Sequence, residues 1–177
     1  MKRTMTLGAS FVFFIILCSC GINKIYPKIE SRYLPDNAIQ NIKLTKSVAI
    51  TNSSIGKEET RLCGLNKREW WGKLYDITET SISITKNALQ RKNIIIDDKA
   101  DKMLALSVDR FTCQPGWNDT TITSTLKVKT GNGLEKEYTA SEKNSTGWQM
   151  TMGFELAMTH CVEQMLNDKE ILGYLEH

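Results

Sequence analysis

From Thr120 to Thr130 the chain alternates, with Ile122, Leu126 and Val128 on one side and Thr121, Thr123, Thr125, Lys127 and Lys129 on the other. A period of two marks a strand with one buried face. Gly131-Asn132-Gly133 follows, residue types that accept the positive φ of a tight hairpin. Leu134 to about Glu142 then returns as the partner strand, with Tyr138 inward. Lys102 to Cys113 alternates in the same way and is broken by Gln114-Pro115-Gly116. Lys46 to Thr51 is short, β-branched and bounded by polar residues, which predicts a first strand. Asn52 to Arg68, rich in Ser, Gly and charge, reads as a polar, mobile loop.

Two segments follow the helical period. Phe154, Ala157, Met158, Cys161, Val162, Met165 and Leu166 form a continuous i, i+3, i+4, i+7 stripe within Thr151 to Leu166. Asn167-Asp168 ends it, and Ile171-Leu172-Tyr174-Leu175 adds a short apolar coda. Leu175-Glu176-His177 reads either as native sequence or as the start of a purification tag. From Trp70 to about Lys92, Leu74, Thr78, Ile82, Thr85 and Leu89 keep helical spacing, although Thr78 to Thr85 carries β-branched residues that favour a strand. The absence of a turn signal over that length decides for one helix.

The predicted order is β-α-β-β-β-α. Two helices with one apolar stripe each, and a sheet with one apolar face, are satisfied when both helices cover the same side. The expected fold class is therefore α+β: a two-layer sandwich, with a mostly antiparallel four-stranded sheet and two helices on one face. The Thr and Lys rows of the other face are left to water or to a partner.

The first residues change the picture most. Lys2 and Arg3 precede an apolar run from Leu7 to Leu17, followed by Cys18-Ser19-Cys20-Gly21. As a helix that run spans about 17 Å, short of a hydrocarbon core of about 30 Å, so it fits a cleavable export segment better than a membrane span. Leu17-Cys18-Ser19-Cys20 resembles the bacterial lipobox, which implies diacylglycerol on the Cys20 sulfur and an acyl group on its freed amine. Gly21 is not the Asp that commonly retains such proteins in the inner membrane. The expected placement is therefore the periplasmic face of the outer membrane, anchored by lipid. An ordinary secretory signal cut near Cys20 is the alternative. The expected division is a signal peptide over 1–19, a lipidated N-terminus and extended tether, partly laid against the fold, over 20–45, and one α+β domain over 46–177.

Composition adds limits. The formal charge of +3 loses two positive charges with Lys2 and Arg3, and the remaining Lys and Arg are scattered among Asp and Glu. That is no electrostatic case for nucleic acid. Cys161 falls on the apolar stripe, where a buried free thiol is the simplest reading. Cys63 and Cys113 are the candidate disulfide in an oxidising compartment, a pairing that spacing alone does not decide. Neither Cys-x-x-Cys nor His-x-x-x-His spacing occurs, so no metal or other cofactor is expected.

Catalytic constellations are weak. His160 neighbours Cys161, but adjacent helical residues point about 100° apart and cannot act as a base–nucleophile pair. Asp97, Asp98 and Asp101 lack the spacing of a calcium loop and read as a solvated turn. Four tryptophans remain. Trp117 and Trp148, placed in loops or at element ends, are candidate ligand-contact aromatics; the competing reading has tryptophans capping the ends of the core.

In this order the domain resembles the YajG-type family of small outer-membrane lipoproteins. The likeness is carried by SVAIT from Ser47, LQRKNIIID from Leu89, MLALSVDRFT from Met103, the hairpin TSTLKVKTGNGLEKEYTASEKNSTG from Thr123, and the closing helix followed by DKEILGYL. The resemblance implies an envelope lipoprotein and transfers no functional residue except the lipidated Cys20. The leading expectation is a non-enzymatic, periplasm-facing module that binds an envelope protein or peptidoglycan through its open sheet face or a strand edge. An accessory lipoprotein subunit of a lipid or lipopolysaccharide transport machine is the alternative. The oligomeric state is not legible.

Overall fold

A computed structural model describes residues 21–40, 47–144 and 149–177. The export segment, Cys20 and Trp148 lie outside the described residues. The principal sheet contains β2 (Val48–Asn52), β5 (Lys102–Pro115), β6 (Thr120–Thr130) and β7 (Glu135–Asn144), in the order β2-β5-β6-β7. Only β2 and β5 run parallel, joined through helix α1 (Leu74–Arg91); the other pairs are antiparallel. Helix α1 packs on β2 and β5, and α2 (Met150–Leu166) on β6 and β7. The α+β class and the helix-on-sheet layering are as the periodicities predict.

The core lies between these layers. Leu104, Leu106, Ile122 and Leu126 meet Ile84, Leu89, Phe154, Met158 and Cys161, all at most 1 % exposed. Phe111 meets Phe154 edge to face, with ring centroids 5.1 Å apart. Polar residues on the inner face of α1 are explained by the backbone around them. Thr78 Oγ1 donates to the Leu74 carbonyl at 2.8 Å and accepts from the Val108 amide at 2.9 Å. Val108 borders a β-bulge in β5, where the ladder register shifts. The threonine supplies the acceptor that an irregular ladder fails to provide.

A second sheet is a finding that the periodicities do not predict. Strands β3 (Glu59–Leu65) and β4 (Arg68–Lys73) form a hairpin across Asn66, whose φ is 55°, and Lys67. Strand β1 (Asn23–Ile25) pairs parallel to β4, giving the order β1-β4-β3. The loop expected over Asn52 to Arg68 is therefore corrected for its second half. The helix expected from Trp70 instead begins at Leu74, because Trp70 is a buried strand residue paired with Cys63. No side chain caps the start of α1; the Gly56 carbonyl takes the Tyr75 amide at 3.1 Å. The apolar coda is a third helix, α3 (Lys169–Glu176), capped by Asp168, and Leu175 within it is buried.

Residues 21–40, read as a tether partly laid against the fold, are docked. After β1 the chain crosses the outer side of the helices as a strap. Glu155 on α2 accepts from the Glu30 amide at 3.1 Å and pairs with Arg32 at 2.7 Å. Leu34 and Ile39 are buried beneath it. Arg91 donates to the Leu34 carbonyl and pairs with Asp36, and Asn167 donates to the Ala38 carbonyl.

Candidate functional site

The open face of the principal sheet is built by the outward half of each alternation. On β5, Ser107 and Asp109 point away from the helices; on β6, Thr121, Thr123, Lys127 and Lys129; on β7, Glu135, Glu137, Thr139 and Ser141. Cross-strand partners satisfy one another: Thr123 and Ser141 hydroxyls lie 2.7 Å apart, Lys127 pairs with Asp109 at 2.7 Å and Lys129 with Glu135 at 2.7 Å. The bond to Asp109 raises the Lys127 pKa, and the bond to Lys129 lowers that of Glu135. These pairs are partly exposed and stabilise the sheet little. Their larger effect is to present alternating charges above a hydroxyl row.

Ile55 overhangs this face from the β2–β3 connection and is 97 % exposed. Between it and the sheet runs a groove of about 530 Å³ lined by Ser53, Ser107, Asp109, Lys127 and Glu137, among others. The groove mixes hydroxyl and charged side chains with the apolar surface of Ile55, Ala105 and Val128, which suits an extended chain carrying both kinds of side chain.

Strand β7 forms the outer edge of the sheet. Over its ten residues it pairs, among the described residues, with β6 on one side only, so alternate amides and carbonyls face outward. Its inward side chains are anchored to the start of α3. Lys136 pairs with Asp168 at 3.1 Å, and the Tyr138 hydroxyl donates to Asp168 at 3.0 Å. Partial burial alone would raise the Asp168 carboxyl, but the Glu170 amide, Lys136 and Tyr138 outweigh it and hold the group below its ordinary value. Burial and the neighbouring carboxylate raise the Tyr138 pKa, so the phenol keeps its donor proton. These bonds tie the β7 edge to α3, while its outward backbone groups have no strand partner among the described residues.

The remaining candidates are placed as follows. Cys63 and Cys113 are joined by a disulfide, with Cα atoms 5.5 Å apart, which staples the small sheet to β5. Trp117 is 98 % exposed in the β5–β6 loop and caps no part of the core. Trp70 is buried, as in the core-capping reading. Cys161 is a buried free thiol pushed up to about 11 by its burial, and it faces the Ser124 carbonyl. His160 lies instead beneath the strap, beside Tyr33 and Leu34. Asp97 closes a turn by accepting from the Lys99 amide. Among the described residues, no three His, Cys, Asp or Glu side chains converge as a metal site, and no helix is long and apolar enough to cross a membrane. Sequence reasoning placed the β7 strand over Leu134 to about Glu142, close to the observed Glu135–Asn144. It missed the β3–β4 hairpin, whose one local signal is Asn66 in its turn.

No family model matches the chain, and no curated protein matches it. Among solved structures, the chain is similar to a Xanthomonas campestris protein assigned to family DUF330. The TM-score is 0.57 at 15 % identity, over 85 % of this chain and 96 % of the other. At that identity the likeness shows a shared fold and nothing of activity.

Proposed function

We propose that the chain is a periplasm-facing lipoprotein of the outer membrane, anchored through Cys20, that works by binding an envelope partner and not by catalysis. The observation that carries the binding half is the ten-residue β7 edge beside an open face of hydroxyls and paired charges. An unpaired edge is a template for strand addition: backbone bonds supply affinity, and the side chains of the adjoining face supply selectivity. The anchoring half rests on the lipobox-like Leu17-Cys18-Ser19-Cys20 and on the YajG-type resemblance.

A strand edge beside hydroxyls and paired charges favours an extended peptide segment of an envelope protein over an acyl chain, and Ile55 and Val128 leave room for an apolar side chain of that peptide. The test is a photo-crosslinking amino acid placed at Ser141 and Glu137 in intact envelopes, with the exposed Asn87 on α1 as the control. Discrete adducts to one envelope protein from the β7 positions alone are the expected result. Adducts to peptidoglycan fragments would replace the protein partner, and adducts to transporter subunits would support the transport alternative. An absence of β7-specific adducts would overturn the docking edge.

A further inference from the structure

The end of the molecule from which the chain leads back to residue 20 carries three features that sequence distance conceals. The Asn23 amide donates to the Lys67 carbonyl at 2.8 Å, so the first described residues lie against the tip of the β3–β4 hairpin. The hairpin tip in turn shares a concave surface with the β5–β6 loop, where Leu65, Asn66, Lys67 and Arg68 face Thr120. Thr120 pairs with Pro115 across that loop, and Cys63 is bonded to Cys113 just behind it. The β1 entry, the hairpin tip and the Trp117 loop therefore share one end of the fold.

That end combines exposed apolar and basic side chains. Trp117 is 98 % exposed and Ile22 60 % exposed, two large apolar side chains left open among the described residues. Lys24, Lys67 and Arg68 are exposed beside them. Of the neighbouring acids, Glu69 pairs with Arg61 and accepts from the Trp71 indole, and the Asp119 carboxylate is turned back against Gly116; Lys24 stacks over the Trp71 ring at 4.2 Å. An apolar tip and an indole within a cationic border match a bilayer interface, where tryptophan settles at the headgroup level and basic residues meet anionic lipid.

We propose that this end is a membrane-contact surface, with Trp117 and Ile22 seated among the headgroups of an anionic phospholipid leaflet and Lys67 and Arg68 against its phosphates. The inference rests on the lipoprotein reading of Cys20. Only Gly21 and Ile22 lie between Cys20 and Asn23, a reach of at most about 11 Å over three residue steps, so an acylated Cys20 leaves no spacer between lipid and fold. The domain then lies on the bilayer by this end rather than swinging above it.

The test uses the full protein purified from its host, with the mass at Cys20 measured, in vesicles of phosphatidylcholine and phosphatidylglycerol brominated near the headgroup. Bromolipid should quench part of the tryptophan emission. Trp117→Phe should lose most of that quenched part, and joint Lys67→Gln and Arg68→Gln should reduce it. Acylated protein whose quenching is unchanged in Trp117→Phe would overturn the contact surface and leave the anchor standing. Protein carrying no acyl chain on Cys20 would overturn both.

Discussion

Glu155 holds Arg32 at 2.7 Å, across 123 residues of sequence, and its second oxygen accepts the Glu30 amide. One carboxylate on α2 thus fixes two successive points of the N-terminal strap. Glu155 is largely buried, whereas Arg32 is over a third exposed, so part of the ion pair is screened by water. Glu155→Ala should lower stability by about 1–2 kcal/mol, read by urea denaturation, and should speed amide exchange over residues 29–34 first. Glu155→Gln, which keeps an acceptor for the Glu30 amide, should lose less. Equal losses would place the whole effect in charge.

The Cys63–Cys113 bridge closes a separation of 50 residues. Replacing both cysteines by Ala should cost about 2–4 kcal/mol through the freer unfolded chain. Thermal melting in the presence and absence of reductant checks this, since the double variant should match the reduced wild type. A variant as stable as the oxidised protein would show that the small sheet needs no staple.

Gly153 lets α2 approach the sheet. A Cβ there would meet the Asn144 amide nitrogen at 1.8 Å and Ile122 Cδ1 at 2.5 Å. Gly153→Ala should destabilise by about 1–3 kcal/mol, despite a helix-propensity gain of about 1 kcal/mol. Gly173 in α3 has open space around it. Gly173→Ala should therefore stabilise slightly, by about 0.5–1 kcal/mol. Chemical denaturation of the two variants should shift the midpoint in opposite directions.

Asp168 supplies an acid-sensitive contact. Its carboxyl titrates lower in the folded than in the unfolded chain, so its contribution is complete above the ordinary carboxyl value. That contribution is lost as the pH falls below about 4, through the depressed folded value, because the unfolded chain takes up the proton first. Asp168→Asn keeps a side-chain oxygen to cap α3 but removes the charge facing Lys136. Its stability should fall less steeply than that of wild type below about pH 4, as circular dichroism at stepped pH would record.

The principal sheet and its helices were legible because their residues obey one period for long stretches. The alternation of Thr120–Thr130 and the stripe from Phe154 to Leu166 leave one face to choose, and burial chooses it. Thr78, Ser81 and Thr85 looked ambiguous by propensity. They are helical because the core accepts hydroxyls bonded back to carbonyls one turn earlier or, for Thr78, to a bulged strand. The small sheet was not legible, since β1 has three residues and β3 is stapled from outside by Cys113. Trp70 and Trp71 looked like the opening of a helix because aromatic residues fit either period. Of the candidate site, the Thr and Lys row was legible. The convergence of Ile22, Lys67 and Trp117 at one end required the topology.

The strap also bears on how quickly the chain reaches its native form. Its anchors join Glu30 to Glu155 and Ala38 to Asn167, separations of 125 and 129 residues. Closing loops of that size costs entropy that no neighbouring contact repays until both helices stand on the sheet. The strap therefore locks down last, and before it does, the hydrophobic seam beneath Leu34 and Ile39 is open to any chaperone that escorts the newborn polypeptide.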